Sequence, residues 1–346
     1  MKKVVILSAF LSPYRSGAEA CVEEVAIKLS KYFDVTIVTS KKFSGEDKKL
    51  RGIVSIKRVG LGLSIDKWLF PIFAPFAVRK LRPDITHAIL ETFAGLTLHF
   101  CKYADKETKR ILTLQTTNRS FLKGMIIRSA DKVTAISKAL VKIAGELGRN
   151  DVVLIPNGVN ISQLCNSVSK TDGSILFVGR LEKMKGIDIL MQAFKKVSEK
   201  NSEAKLRIVG DGSQRKTLKS LAYELGIKDK VTFTGKLSPN EVYEEYGHAQ
   251  IFCGLSRSEA FGNVFIEAQA AGCAVVGTSI GGIPDTVEQG VTGLLVKPDD
   301  VDGAVEALER LLSDADLRNK LSENGRKNAE KYDWANIAQQ YAELYS

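Results

Sequence analysis

Short runs of β-branched residues alternate with amphipathic stretches along both halves of the chain. In the first half we predict strands at residues 4–9, 35–39, 53–59, 85–90, 111–115, 133–136 and 152–155. In the second half we predict strands at residues 175–178, 206–209, 231–234, 251–254, 275–277 and 294–296. Helical patterns fill most of the intervals, for example 18–32 and 137–147. This alternation predicts two doubly wound α/β domains, each a parallel sheet with helices on both faces.

The boundary between the two domains is marked by a change of pattern. Residues 155–160 contain Pro and Gly and interrupt the alternation, and the polar residues 162–174 are typical of a linker. We therefore predict a first domain at 1–165, a second at 166–330, and a separate C-terminal helix within 331–346. Ligands of doubly wound sheets bind beyond the carboxyl ends of the strands, so two facing domains predict an interdomain cleft.

Composition is typical of a soluble globular protein and argues against a metal site. The 346 residues are 44% hydrophobic and 26% charged. The N-terminus lacks a signal-peptide pattern, and no apolar run approaches the roughly 20 residues that span a bilayer. A cytoplasmic location is therefore expected. The five cysteines and three histidines are not at ligand spacing, which predicts reduced thiols and no metal site. A cofactor is not expected either.

Charge is distributed unevenly along the chain. Residues 1–166 contain 27 Lys and Arg against 14 Asp and Glu, a net of +13, whereas the remainder has 23 against 26, a net of −3. A basic first half predicts an anionic partner, either a membrane surface or nucleic acid. Because no nucleic-acid-binding motif is present, we do not expect nucleic acid, and peripheral association with the inner face of a membrane is the favoured alternative.

The segment 258–268, Ser-Glu-Ala-Phe-Gly-Asn-Val-Phe-Ile-Glu-Ala, carries the strongest chemical signal. The apolar run after Gly262 predicts a helix, whose first backbone N–H groups and dipole favour a phosphate. Glu259 precedes this helix and Glu267 lies inside it, and both carboxylates can accept hydrogen bonds from sugar hydroxyls. The arrangement predicts a pocket for a nucleotide sugar. Glycoside hydrolysis also uses two carboxylates, but a pair that brackets an anion site disfavours it.

Loops after predicted strands supply the remaining candidates for the anion site. In the segment 179–186, Gly179 precedes Arg180 and Lys185, two cations that can hold a diphosphate. Gly210 ends another strand, but Arg215 stands where the dinucleotide fingerprint needs a glycine, which disfavours a dehydrogenase. A tight turn is the better interpretation there.

The first half contains three features whose role the pattern leaves open. Gly17 and Glu19 open the first helix, where a helix cap and a contact with phosphate or substrate both fit. His87 ends a buried strand, so a core role and a catalytic role are both compatible with its position. Residues 66–80 mix aromatics with flanking cations, and predict either a core helix with two proline breaks or a segment that dips into anionic lipid.

Together these motifs resemble the retaining, nucleotide-sugar-dependent glycosyltransferases of family four, which have the GT-B fold. The resemblance covers nearly the whole chain and is strongest over residues 155–299. It is carried by the segments 179–186, 210–212, 259–268 and 281–285.

The resemblance implies a role for each matching residue. Arg180 and Lys185 would hold the donor diphosphate and neutralise the leaving group, and Glu259 would bind the donor sugar. Glu267 would bind the ribose hydroxyls, and Gly17 would let the backbone approach the diphosphate. The remaining residues implied in donor binding are Gly179, Gly210, Phe261, Gly262 and Asn263. The final helix would return to the first domain.

One departure from the family concerns the strand that ends at Gln115. The family commonly has a histidine there that contacts the donor sugar, whereas Gln115 cannot carry charge. We expect Gln115, His87 and Glu19 to be candidate contacts of the sugar or the acceptor. Ser16 also replaces the first glycine of the family's usual Gly-Gly loop.

The expected activity is retaining transfer of a hexosyl unit to a glycan or lipid-linked acceptor, without a metal. A UDP-sugar is the favoured donor and a GDP-sugar the next. Two alternatives stay open at this point: a nucleotide-sugar epimerase of the same fold, and a non-catalytic scaffold that retains the nucleotide-sugar pocket.

Overall fold

The computed structural model describes residues 1–14, 17–104, 107–118, 122–164 and 169–346. Contacts divide the chain into two compact units, one of Met1–Gly158 with Trp334–Ser346 and one of Val159–Asp333. The boundary expected between residues 165 and 166 lies outside the described residues, as do Ser16 and Cys165. The chain passes between the units after Gly158 and again after Asp333.

The first unit is built on a sheet whose strands follow the order β3-β4-β2-β1-β5-β6-β7-β8. Every pairing is parallel except that of β3 with β4. The strands are β1 (Lys3–Leu7), β2 (Asp34–Ser40), β3 (Lys49–Leu50), β4 (Val54–Val59), β5 (Ile85–Ile89), β6 (Lys109–Leu114), β7 (Lys132–Ala135) and β8 (Val153–Leu154). The direction of winding reverses between β1 and β5, which makes that position the switch point of the sheet.

The helices of the first unit lie on the two faces of this sheet. They are α1 (Gly17–Leu29), α2 (Asp66–Leu81), α3 (Phe93–Ala104), α4 (Lys123–Ser129) and α5 (Lys138–Glu146). The two prolines expected to break α2 do not break it: Pro71 and Pro75 lie inside one continuous helix, with both rings buried. Each proline removes one backbone hydrogen bond, and burial of the ring offsets part of that loss.

The second unit is a six-stranded, wholly parallel sheet of order β11-β10-β9-β12-β13-β14. Its strands are β9 (Thr171–Val178), β10 (Lys205–Val209), β11 (Val231–Gly235), β12 (Ala249–Gly254), β13 (Ala274–Thr278) and β14 (Leu294–Val296). Its helices are α6 (Ile161–Leu164), α7 (Ile187–Lys200), α8 (Arg215–Glu224), α9 (Pro239–His248), α10 (Asn263–Ala270), α11 (Ile283–Thr286), α12 (Val301–Ser313) and α13 (Ala315–Ala329). The winding reverses between β9 and β12.

The C-terminal helix α14 (Trp334–Tyr345) belongs to the first unit. Its apolar side joins β1, β2 and α1 in one core cluster that includes Trp334, Ile337 and Tyr341. A Cβ on Gly158 would stand 2.5 Å from the Trp334 ring, so the chain approaches this ring closely just before it leaves the unit. The Lys109 Nζ donates to the Leu344 carbonyl at 3.0 Å and holds the end of α14.

Candidate active site

The predicted donor-site residues of the second unit gather at the switch point of its sheet. Gly179 and Arg180 directly follow β9, whereas Glu259 lies in the loop that follows β12. Because these two strands are neighbours and parallel, their carboxyl ends open at the same edge of the sheet. At such a point the connections after the two strands pass to opposite faces of the sheet. The crevice that opens between them is where doubly wound sheets bind ligands.

Two glycines in left-handed conformations allow the loops of this site to approach one another. Gly186 has a φ of +63°, and a Cβ there would stand 1.8 Å from the Leu255 carbonyl oxygen. Gly281 has a φ of +58°, and a Cβ there would stand 1.9 Å from the Glu259 carbonyl oxygen. Any side chain at either position would push the loop after β12 away.

Lys185 and Glu259 form an ion pair at the centre of this site. The Lys185 Nζ donates to the Glu259 Oε2 at 2.6 Å, although the two residues are 74 positions apart. Their side chains are 17% and 15% exposed, so the pair is accessible to a ligand yet shielded from most solvent. An arriving anion would attract Lys185 and release the carboxylate for hydrogen bonds from hydroxyl groups.

Arg180 is exposed at the start of the same loop. Two hydrogen bonds from Ser213, with a smaller contribution from the Arg180 charge, lower the pKa of Glu182. Arg180 therefore brings an exposed guanidinium to the edge of the site. Lys185 lies at the centre of the site, paired with Glu259. The glycine Gly210 follows β10 nearby, and its N–H donates to the Gly235 carbonyl at 2.9 Å.

The helix α10 begins at the site with its N-terminus. Gly262 is its N-cap, with a φ of 96°, and no side chain caps the helix there. Phe261 is buried, and its ring lies 5.8 Å from that of Tyr332. The first backbone N–H groups of α10, before that of Phe265, which donates to the Gly262 carbonyl at 3.0 Å, therefore lie with the positive end of the helix dipole at the region that would hold an anion.

Glu267 lies one turn inside α10 and is half-buried. Its Oε2 accepts a hydrogen bond of 2.9 Å from the hydroxyl of the fully buried Tyr246. Burial raises the pKa of Glu267, and the Tyr246 hydrogen bond opposes that shift. Tyr246 thus fixes one oxygen of the carboxylate and so orients the group.

The first unit contains the other predicted contacts. Gly17 is the exposed first residue of α1, and Glu19 is buried in the first turn. Gln115 directly follows β6, and its amide exchanges hydrogen bonds of 2.9 and 3.1 Å with that of Asn157. The Gln115 side chain is thus held inside the first unit. The roles assigned to Gly17, Glu19 and Gln115 from the sequence stay predictions.

His87 is a core residue, and its predicted contact with sugar or acceptor is wrong. The side chain is fully buried. Its Nδ1 lies 2.5 Å from the Tyr345 hydroxyl and its Nε2 lies 2.7 Å from the Thr113 hydroxyl. Burial lowers the pKa of His87 to about 3. With both ring nitrogens engaged and no exposed surface, His87 holds α14 against the sheet.

Two family models match the chain. A family model described as Glycosyl transferases group 1 matches residues 166–328, and one described as Glycosyltransferase Family 4 matches residues 15–163. The chain belongs to the group 1 glycosyltransferases.

A curated relative of this chain is the D-inositol 3-phosphate glycosyltransferase of Corynebacterium urealyticum. The two are 40% identical over 176 residues, which cover 49% of this chain and 42% of that relative. The chain thus spans less than half of the relative's length.

Solved structures show the same fold over the whole chain. A sucrose-phosphate synthase from Thermosynechococcus elongatus superimposes with a TM-score of 0.87 at 21% identity, over 100% of this chain and 98% of that one. Anabaena HepE, in complex with UDP-glucose, superimposes with a TM-score of 0.83 at 20% identity, over 99% of each chain. The GT-B fold that the sequence predicted is confirmed.

Arg257 also belongs to this site, although the sequence did not single it out. Its guanidinium contacts Asp299 at 2.6 Å and Asp188 at 2.7 Å, and donates to the Lys183 carbonyl at 2.6 Å. Burial acts to raise the pKa of Asp188, but Arg257 outweighs it and keeps this pKa low. Arg257 therefore fastens the loop that carries Glu259 to the turn that carries Lys185. In the sequence, a role of Arg257 in this site was signalled only by its position two residues before Glu259.

In the part of the chain that the structure describes, no group of three or more His, Cys, Asp or Glu side chains is placed to hold a metal ion. Within the same ranges, none of the helices combines the length and the apolar character that crossing a bilayer takes.

Proposed function

We propose that this glycosyltransferase transfers a hexosyl unit, with retention, from a nucleoside diphosphate sugar to a glycan or lipid-linked acceptor. A UDP-sugar is the donor proposed first and a GDP-sugar second. The observation that carries the proposal is the Lys185–Glu259 pair at 2.6 Å, beside the exposed Arg180 and the N-terminus of α10. Two cationic side chains, the first backbone amides of α10 and a carboxylate that can accept hydrogen bonds from sugar hydroxyls thus lie at the switch point of one sheet. The UDP-glucose complex of the structural neighbour HepE supports the choice of donor.

In the proposed reaction the leaving diphosphate gains negative charge as the bond to the sugar breaks. The first amides of α10 are held by the helix before the reaction, so they stabilise that charge without reorganising, and the Arg180 and Lys185 cations add to them. Lys185 turns from Glu259 to the diphosphate, and Glu259 accepts a hydrogen bond from a sugar hydroxyl. Retention by attack on the same face as the leaving group requires no protein nucleophile.

Glu267 is proposed to bind the ribose of the donor. A carboxylate that accepts hydrogen bonds from two ribose hydroxyls needs a fixed orientation, and the Tyr246 hydroxyl supplies it at 2.9 Å. Hydrogen bonds to a charged acceptor are worth about 1.5–3 kcal/mol. Loss of the Glu267 carboxylate is therefore expected to weaken nucleotide binding by about tenfold or more.

The proposal is tested by a thermal-shift panel of UDP, GDP, ADP and dTDP. We expect one nucleotide to stabilise the wild type selectively, and Arg180→Ala and Glu267→Ala to lose most of that shift. Arg310→Ala, which removes an exposed guanidinium from α12, is the matched control and should retain it. Unchanged nucleotide affinity in Glu267→Ala would exclude the ribose role.

Turnover separates the proposal from its two alternatives. A transferase consumes the donor rapidly only when an acceptor is present. Donor turnover to an isomeric nucleotide sugar without acceptor would indicate an epimerase instead. Nucleotide binding without turnover of UDP- or GDP-sugars, across a panel of glycan and lipid-linked acceptors, would indicate a scaffold.

A further inference from the structure

We propose that α2 docks the first unit onto an anionic lipid surface. Three large apolar side chains, Trp68, Ile72 and Phe76, are 65%, 54% and 61% exposed. They are spaced four residues apart, so they form one stripe along the helix. This stripe is here called the α2 apolar face.

The α2 apolar face is not the side of the helix that packs on the core. Phe70, Ala74 and Val78 occupy that side and are fully buried. The helix therefore carries a second apolar stripe that faces solvent. Contiguous exposed apolar surface of this kind marks an interaction site rather than a scatter of single residues.

The apolar surface extends beyond α2 itself. The loop before it exposes Leu61, Leu63 and Ile65 at 59%, 52% and 48%. The helices α2 and α3 run in the same direction, since both connect parallel strands. The Trp68 ring meets the Phe93 ring edge to face at 5.0 Å, which aligns the starts of the two helices.

The helix α3 adds exposed aromatics at the level of the second half of α2. Phe100 and Tyr103 are 41% and 68% exposed. Phe100 follows Phe93 by seven residues, about 10 Å along the axis at 1.5 Å per residue. Phe76 follows Trp68 by eight residues, about 12 Å along the axis of α2 at the same rise per residue. Aromatic side chains of this type favour the interfacial zone of a bilayer, where one end is apolar and the other is wet.

Charge decides which partner fits this surface. Cations flank the stripe at both ends, with Lys67 at its start and the exposed Arg79 and Lys80 at its end. The only acidic residue between positions 61 and 83 is Asp66, which is fully buried and accepts backbone N–H groups. Between positions 61 and 83, therefore, the exposed charged side chains that accompany the apolar ones are all positive.

An anionic bilayer matches both properties. Long basic side chains at the ends of an interfacial helix reach lipid phosphates while the apolar stripe enters the acyl boundary. The docking rests on the first unit and not on the sugar-transfer proposal. If both hold, docking would bring the enzyme to the surface where a lipid-linked acceptor resides.

Tryptophan fluorescence tests the docking without any substitution. The chain has two tryptophans, of which Trp334 is 4% exposed and Trp68 is 65% exposed. We expect vesicles of phosphatidylglycerol and phosphatidylcholine to shift the emission to shorter wavelength, because Trp68 alone can leave water. Vesicles of pure phosphatidylcholine should cause a much smaller shift. An unchanged emission maximum with anionic vesicles would overturn the proposal.

Vesicle flotation of the full chain tests the residues. We expect a triple serine variant of the α2 apolar face (Trp68→Ser, Ile72→Ser and Phe76→Ser) to bind anionic vesicles about tenfold or more weakly than the wild type. Charge reversal at Lys67, Arg79 and Lys80 should have a similar effect, and binding of the wild type should fall as salt rises.

Matched controls remove equivalent side chains elsewhere. Tyr32→Ser and Tyr223→Ser each remove a large exposed side chain from another helix or its end, with wild-type exposures of 56% and 71%. A second control reverses the exposed Lys31, Lys219 and Lys320. Both controls should bind vesicles like the wild type.

Two outcomes would contradict the lipid partner. Vesicle binding by the serine variant equal to that of the wild type would exclude the α2 apolar face as the site. A wild-type dimer that dissociates in the serine variant, without vesicle binding, would identify a second copy of the chain as the partner. UDP binding, followed by thermal shift in each variant, reports on folding and on the donor site, so failure of the transferase proposal would be seen separately.

Discussion

At the scale of single residues, the buried ion pair of Lys123 and Glu91 holds the segment that carries Gln115. The Lys123 Nζ lies 2.8 Å from the Glu91 Oε1, and the side chains are 4% and 2% exposed. Glu91 also accepts the Gln115 backbone N–H at 2.9 Å. Removing one partner leaves the other charge buried and uncompensated, at a cost of about 3–5 kcal/mol. We expect Lys123→Met to lower the free energy of unfolding by that amount in urea denaturation.

An exposed pair of the same type provides the control. Lys195 and Glu199 lie 2.7 Å apart on α7, with side chains 38% and 58% exposed. Solvent screens such a pair, so Lys195→Met should change the free energy of unfolding by less than about 0.5 kcal/mol. A similarly small loss in Lys123→Met would show that the buried pair is not a stabilising contact.

The sequence predicted which site residues follow strands but not how they pair. Arg180 stands out because it follows a predicted strand, and Glu259 stands out because it precedes a predicted helix start. The contact between Lys185 and Glu259 spans 74 positions and depends on which strands are neighbours, which local pattern does not specify. Arg257 was missed because a lone arginine in a polar loop is usually solvated.

At the scale of elements, the parallel strands were the most predictable part of the fold. Strands covered on both faces appear as continuous apolar runs, so β1, β12 and β13 are visible in the sequence. The antiparallel β3 was missed because its two residues are too few to show a period. The prolines misled the prediction for α2, since propensity is overridden when the rings are buried by tertiary packing.

The attachment of α14 to the sheet is expected to weaken in acid through His87. Burial lowers the pKa of His87 from 6.5 to about 3. Between these values the unfolded chain binds a proton that the folded chain does not bind. The contribution of neutral His87 to the free energy of unfolding is therefore fully present above about pH 6.5, and it is lost as the pH decreases toward 3. At about 1.4 kcal/mol per pH unit, this one group removes about 2 kcal/mol between pH 7 and pH 5.

We expect His87→Asn to flatten this dependence. The loss of unfolding free energy between pH 7 and pH 5, measured by urea denaturation, should be about 2 kcal/mol smaller in the variant than in the wild type. The same substitution at the exposed His248 is the control and should preserve the wild-type slope. Parallel pH profiles for the wild type and His87→Asn would contradict burial of a neutral imidazole.

At the scale of the whole molecule, the two units share an architecture but differ in what the sequence discloses. In the second unit, the candidate site residues lie in loops that glycines and Arg257 hold together. Short sequence motifs are therefore enough to identify them. The first unit carries its distinguishing features on surfaces. Its excess of positive charge is visible in composition, but only the folded helix shows that Trp68, Ile72 and Phe76 share one exposed stripe. Surface patches form from residues whose exposure depends on tertiary packing, which a single sequence does not give.

The charge arrangement of the donor site leads to a last prediction, on metal removal. The proposed ligands of the diphosphate are Arg180, Lys185 and the first amides of α10, which together supply the positive charge that a divalent cation supplies in other transferases. We therefore expect the rate of donor consumption, with acceptor present, to be unchanged by EDTA and not raised by Mg²⁺ or Mn²⁺. Arg180→Ala should lose activity under both conditions. A rate that falls in EDTA and returns with Mn²⁺ would mean that these cations are insufficient, and that the leaving group departs with a metal bound.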